Sequence, residues 1–219
     1  MPDDLPSLMT AWVHGWAASR GTPAPVAVPG GWRIQVGLPG HRIRYVLAGA
    51  DLADLAAAPH PPGTWIKAVT TAAQPGAALP AGWVRAETLH VMTVRFDAGD
   101  DPPPPPYTAR FLTAGQVVEA RVSDAGGATA AAAHLAPAGA VAVIDRVETD
   151  PAHRRRGLGS TVMRMLAGHA IRHGMPRGVL VATDDGRHLY QRLGWRVVAA
   201  LEAAYLPEQP IGGPGPLVG

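Results

Sequence analysis

The stretch Asp145-Arg-Val-Glu-Thr-Asp-Pro-Ala-His-Arg-Arg-Arg-Gly-Leu-Gly-Ser-Thr161 constrains this chain more than any other. An apolar run leads into it, and two glycines, Gly157 and Gly159, sit near its end. Amphipathic spacing follows at Leu158, Val162, Met165, Leu166 and Ala170. That order predicts a strand, a tight turn and a helix over Gly157–His173, with Gly174 as its stop. The glycines let the backbone approach a ligand and turn successive N–H groups outward, and a helix N-terminus adds partial positive charge. Arg154, Arg155 and Arg156 strengthen that field, and Ser160 and Thr161 add hydroxyls. In physical terms the turn is a pyrophosphate site. It lacks the lysine of a P-loop, and its glycine spacing is not that of the dinucleotide fingerprint.

The charge distribution points to the same place. The whole chain carries 19 basic and 17 acidic groups, too balanced for nucleic acid or a membrane as the main partner. Residues 1–106 hold seven basic and eight acidic groups, whereas residues 107–219 hold twelve and nine. Within 151–196 there are nine arginines against Asp184 and Asp185, a local field suited to a polyanionic ligand. The charge coincides with the phosphate turn, which has no stacking aromatics, so a nucleic-acid site is disfavoured there. The chain has no cysteine, which excludes disulfides, thiolate zinc and a cysteine nucleophile. His169 and His173 are spaced for one helix face but lack a third ligand, so no metal is expected.

At 219 residues the chain accommodates one large domain or two small ones. Leu5, Leu8, Met9, Trp12, Val13 and Trp16 recur at helical spacing, closed by Gly21 and Pro23. Short strands are predicted at Trp32–Val36, Arg42–Leu47, Trp65–Val69 and Thr88–Phe96, with a short helix at Asp51–Ala58 and Gly-Pro joints such as Pro75–Gly82. Asp100-Asp101 and the prolines 102–106 read as an extended, stiff linker, which divides the chain into domains 1–101 and 107–219. Beyond it the pattern predicts hairpins Tyr107–Thr113/Gln116–Ser123 and Ala128–Leu135/Ala140–Thr149. After the long helix come a strand at Gly178–Thr183, a helix at Arg187–Leu193 opened by Asp184-Asp185-Gly186, and a strand at Trp195–Ala200. The last strand is expected to be short or absent, because a Gly/Pro tail follows Leu206. Antiparallel strands followed by strand–helix–strand–helix–strand give a mixed α/β layer. The acidic start, with no unbroken apolar run behind it, fits a cytoplasmic protein without a signal or membrane span.

The turn Arg154-Arg-Arg-Gly-Leu-Gly159 resembles the R/Q-x-x-G-x-G/A acetyl-CoA motif of the GNAT superfamily of N-acetyltransferases. Leu189-Tyr-Gln-Arg-Leu-Gly-Trp195, about 30 residues on, is similar to that family's L-Y-x-x-L-G-F signature. The resemblance covers roughly residues 107–206 and implies a mostly antiparallel central sheet flanked by helices, with the N-terminal α/β half packed against it. It implies acetyl-CoA as acyl donor, with Val147 and Thr149 holding pantetheine and Arg154, Arg155, Arg156, Gly157, Leu158, Gly159 and Ser160 holding pyrophosphate. The implied reaction is direct attack of a primary amine on the thioester in a ternary complex. Tyr190 matches the tyrosine that protonates the departing thiolate, or else only packs against the cofactor. Asp145 and Glu148 are the candidate bases. On a regular strand Asp145 shares a face with Val147, which ranks it first, although a kink usual in the family would disturb that alternation and neither need serve. Two helices usual in the family are missing between Tyr107–Thr113 and Gln116–Ser123. Residues 1–101, a degenerate GNAT-like repeat on one reading, would cover that face, or a second subunit would, as a homodimer. A non-catalytic acyl-CoA-binding module is the alternative to the enzyme.

Overall fold

The computed structural model describes residues 4–48, 52–70, 78–97 and 102–208. The first three residues, part of the Pro75–Gly82 joint, the Asp100-Asp101 pair and the Gly/Pro tail lie outside them. In chain order the elements are α1 (Leu5–Arg20), β1 (Val26–Val28), β2 (Gly31–Leu38), β3 (His41–Leu47), α2 (Leu52–Ala56), β4 (Thr64–Thr70), β5 (Val84–Arg85) and β6 (Leu89–Arg95). Then follow β7 (Thr108–Ala114), β8 (Val117–Ser123), β9 (Thr129–Ala138), β10 (Val141–Thr149), a 3-10 turn (Pro151–His153), α3 (Leu158–Arg172), β11 (Arg177–Ala182), α4 (Asp184–Arg192) and β12 (Arg196–Tyr205). This is the expected mixed α/β class, with mostly antiparallel strands and flanking helices.

Two compact units result, Met1–Ala24 with His90–Val198 and Pro25–Leu89 with Ala199–Gly219. The division does not fall at the proline run. β6 joins the C-terminal strands because His90–Arg95 pairs antiparallel with the whole of β11. Nor does that run continue as an extended spacer: the Tyr107 N–H donates to the Pro104 carbonyl at 3.0 Å, closing a turn.

In the first unit the strand order is β6-β11-β10-β9-β8-β7. Among its described residues only the β10–β11 pair is parallel. α3 covers one face, where Leu158, Val162 and Leu166 pack with Ala142, Ile144, Leu135 and Leu180. α1 packs on β9, β10 and β11. It takes the opposite face, since its Gly15 lies against Val143, the residue between Ala142 and Ile144. α1 therefore supplies cover where the C-terminal half has no helices of its own. Its tryptophans belong to this packing: Trp12 and Trp16 are buried, together with Leu8, Met9 and Val13. Asp4 caps its start by accepting from the Ser7 N–H, and Gly21, at φ 63°, ends it.

The second unit is built from β1, β2 and β3 as an antiparallel meander, with β4 parallel to β3 after the α2 crossover. Ala200–Tyr205 of β12 adds antiparallel to β4, and β5 pairs with its end. The core gathers Leu47, Leu52, Ala56, Ile66, Ala68 and Ala204, and Trp65 stacks on Tyr205 at 4.6 Å. The expectation of a short or absent last strand is corrected: β12 runs ten residues. Ala and Glu are weak strand formers, so pairing with β4 decides this stretch rather than propensity.

Candidate active site

Parallel pairing of β10 with β11 holds at Val141, Ala142 and Val143 and then stops, after which β11 pairs only with β6. One edge of β10 from residue 144 to 149 is thereby left without a strand neighbour. Unpaired backbone groups of this kind form a template for an extended ligand. A cleft of about 1220 Å³ opens here, walled by Val147–Pro151, by Thr129–Ala132 of β9, by the turn into α3 and by Asp185, Gly186, Leu189 and Arg192 of α4.

The turn forms one end of the cleft. Gly157, at φ 80°, precedes α3, and no side chain caps the helix. The first N–H groups of α3 are therefore open to a ligand, with the helix dipole behind them. Arg155 is also left-handed, at φ 63°, which with Gly157 shapes a backbone concavity suited to an anion. A Cβ at Gly159 would sit 3.2 Å from Leu189 Cδ2 across the cleft, so that side chain would have to give by a few tenths of an ångström.

Of the residues expected to hold a cofactor, Val147, Thr149, Arg154, Arg155, Gly157, Leu158, Gly159 and Ser160 line this cleft. Arg156 does not; its Nη1 donates to the Tyr107 hydroxyl at 2.8 Å. Arg154 Nε donates to the Thr149 carbonyl at 3.3 Å, tying the turn to β10.

The two carboxylates are arranged differently from the regular-strand expectation. A bulge interrupts β10: Asp145 lies opposite His134 and Glu148 opposite Ala132, with Arg146 at φ 52° between them. Residues directly opposite on paired strands share a face, and so do His134 and Ala132. Asp145 and Glu148 therefore share the α1 face, whereas Val147 packs with the α3 core. Asp145 does not keep Val147's face, and it is not a free carboxylate. Arg20 Nε and Nη2 donate to it at 2.7 and 3.1 Å, and Ser19 Oγ donates at 3.1 Å. The Asp145 carboxylate in turn holds the Arg20 guanidinium above its ordinary pKa. Glu148 is exposed and reaches the cleft. His134, facing Asp145 across the ladder, is pushed below its usual pKa by burial and then by the Arg146 charge.

Tyr190 is not one of the cleft's walls. Its ring is 8% exposed and lies in the α3-side core, 6.2 Å from Trp195 and just behind Gly186. Burial, and after it the Asp145 charge, pushes its phenol up to about 12. α4 also begins earlier than expected: Thr183 is its cap, accepting from the Gly186 N–H at 3.2 Å. Asp184 instead pairs with His90 at 2.7 Å. Sequence reasoning missed Arg192 as a cleft residue and read Asp185 first as part of a helix cap, although with Leu189 their i, i+4, i+7 spacing was available as a helix-face signal. The alanines of β9 offered no signal.

Among the described residues no three His, Asp or Glu side chains are placed to hold a metal, and no helix is long and apolar enough to cross a membrane. His169 and His173 stack with their imidazoles 4.0 Å apart, and Phe111 lies tilted against His169.

Comparison with known proteins agrees with this geometry. The model of the acetyltransferase (GNAT) family matches residues 94–195. A GCN5-related N-acetyltransferase from Kribbella flavida superposes with a TM-score of 0.64 at 15% identity, covering 94% of this chain and 95% of that one. A GNAT-family protein from Novosphingobium aromaticivorans gives 0.60 at 21% identity, over 94% and 100%. One from Sphaerobacter thermophilus gives 0.54 at 13%, over 96% and 98%. No curated protein matches by sequence. These likenesses extend the fold well beyond the matched segment. The fold is thus the one those structures share, and residues 94–195 are the segment similar to the acetyltransferase (GNAT) family.

Proposed function

We propose that this protein is a cytoplasmic, acetyl-CoA-dependent N-acetyltransferase that moves the acetyl group to a primary amine in a ternary complex. One observation carries the reading: β10 parts from β11 directly above the uncapped N-terminus of α3. Backbone groups of Val147 and Thr149 pair with the pantetheine amides as an added strand would. N–H groups from Arg155 to Ser160 receive the pyrophosphate, with Arg154 and Arg155 adding charge. The amine nitrogen bonds to the acyl carbon, the carbon–sulfur bond breaks, and the amine's surplus proton leaves to a base.

Glu148 is the base in this reading, because it reaches the cleft while Asp145 is held by Ser19 and Arg20. Asp145 then serves to seat α1 on β10. Replacing Glu148 by glutamine is expected to lower kcat/KM by about 10²-fold near neutral pH, the lower end for a general base. The loss shrinks as pH rises through the pKa of the amine, which then arrives already deprotonated. A loss of equal size at every pH would assign Glu148 a role other than proton removal.

The second reading, an acyl-CoA-binding module without turnover, draws on the burial of Tyr190 behind the cleft wall. Calorimetry with CoA and acetyl-CoA, then thiol release across a panel of amines, separates the two. The enzyme reading expects binding and release with at least one amine. Tight binding without release from any amine supports the module, and absence of binding overturns both.

A further inference from the structure

Arg156 points away from the cleft, and what it meets there connects both ends of the phosphate turn. Its Nη1 donates to the Tyr107 hydroxyl at 2.8 Å, and the same hydroxyl lies 2.9 Å from His153 Nδ1. Tyr107 is 9% exposed, and its ring meets the His153 imidazole edge-on. On the far side, His153 Nε2 lies 3.6 Å from Asp124 Oδ2. Asp124 is itself fixed by the turn between β8 and β9, accepting at Oδ1 from the N–H groups of Gly126 and Ala128, each at 2.9 Å.

A guanidinium only donates, so the Tyr107 hydroxyl accepts from Arg156, and its contact with His153 Nδ1 runs in whichever direction the imidazole tautomer sets. The other ring nitrogen of His153 faces the Asp124 carboxylate. His153 closes the 3-10 turn that Asp150 caps, and Arg156 immediately precedes Gly157. One hydroxyl thus fastens the two ends of His153–Arg156, the stretch that contains the left-handed Arg155.

We propose that Tyr107 and His153 are positioning residues, a latch that holds the turn Arg154–Gly159 in the shape that receives phosphate. The latch rests on the reading of this turn as the pyrophosphate site. Tyr107 itself touches no ligand; it acts through Arg156 and His153.

The test compares Tyr107→Phe, which keeps the ring and removes the hydroxyl, with two changes at His153. His153→Asn keeps a hydrogen-bonding atom, donor or acceptor, close to the Nδ1 position, and His153→Leu removes it. Amide hydrogen exchange at residues 154–159 is measured without ligand, CoA affinity by calorimetry, and KM and kcat with acetyl-CoA. Tyr107→Phe and His153→Leu are expected to speed exchange in the turn and to weaken CoA binding about tenfold, the size of one lost charge-linked hydrogen bond. KM for acetyl-CoA rises in step and kcat stays within about twofold, since the ground state and transition state lose the same contact. His153→Asn stays near wild type. The latch is overturned if Tyr107→Phe matches wild type in both exchange and CoA affinity, or if His153→Asn behaves as His153→Leu does. Should Tyr107→Phe fail to fold, the two His153 variants decide the matter. If the wild-type protein does not bind CoA, the pyrophosphate reading fails, and ligand-free exchange still shows whether Tyr107 orders the turn.

Discussion

Tyr190→Phe is expected to lower kcat by about 10²- to 10³-fold, the cost typical of removing one donor to a developing anion. KM for acetyl-CoA should change by no more than about twofold, because the lost contact belongs to the transition state. The environment of Tyr190 indicates which kind of acid it is. Its phenol is pushed up to about 12 by burial and the Asp145 charge. A thiol near 8.5 is the stronger acid by roughly 3.5 units, so full transfer to the leaving thiolate would run uphill by about 5 kcal/mol. In the proposed enzyme Tyr190 would therefore serve as a hydrogen-bond donor to the thiolate, the proton reaching sulfur from elsewhere, and its hydroxyl would have to reach the cleft from behind Gly186. Two checks follow. Tyr190 contributes no alkaline limb to the rate profile below about pH 10, since it remains protonated there. The folded protein also loses stability as pH rises from 10 to about 12, because the unfolded chain ionises its tyrosine first while burial penalises the anion. Phenylalanine keeps the ring in a site that is 8% exposed, so the fold survives and the rate speaks for the hydroxyl alone. An unchanged kcat in Tyr190→Phe would reduce this residue to packing.

How much of this was legible before the fold was known depends on how local each cause is. The helices α1 and α3, the strands β2, β3, β4 and β6, and both C-terminal hairpins follow from periodicity and glycine stops, and they form within a few residues of their expected bounds. Most of the turn was legible too, because glycine spacing ahead of a helix fixes backbone donors whatever the tertiary context. The misses share a different cause. Asp145 meets Arg20 across 125 residues of chain, and no local pattern announces an ion pair of that separation. The bulge at Arg146 has no local signal beyond the kink that the family resemblance implies, and it moves Glu148 to the face of Asp145. Arg156 belongs to the motif by position and to Tyr107 by geometry. The compact units depart from the proline run because strand pairing outweighs composition: β6 adds to β11, and β12 to β4. A stiff-looking segment shows where the chain is punctuated, but hydrogen bonds across strands decide which residues belong together.

The seat of α1 on β10 leads to the largest expected effect on stability. Gly15→Ala should destabilise the protein by about 1–3 kcal/mol or more, the range for overpacking a tight interior. Alanine in mid-helix normally favours the helix by about 1 kcal/mol over glycine, which opposes this loss. Here the new Cβ would lie 2.3 Å from Val143 Cγ2 and 2.4 Å from Val143 Cβ. Carbon atoms rest at about 3.5–4.0 Å, so the helix has to move by more than an ångström, and propensity loses. Trimming the partner does not cure this: Val143→Ala keeps the Cβ at 2.4 Å, so the double variant should remain well below wild type. The displacement also reaches the site. Ser19 and Arg20, one turn further along α1, hold Asp145 at the start of the bulge that presents Glu148. Urea unfolding should show a lower midpoint with an unchanged slope, since the surface exposed on unfolding stays the same. Folded Gly15→Ala should also release thiol more slowly, because Glu148 loses its support. A neutral or stabilising Gly15→Ala would mean that α1 does not sit on β10 at Val143, and the account of how Asp145 is fixed would fall with it.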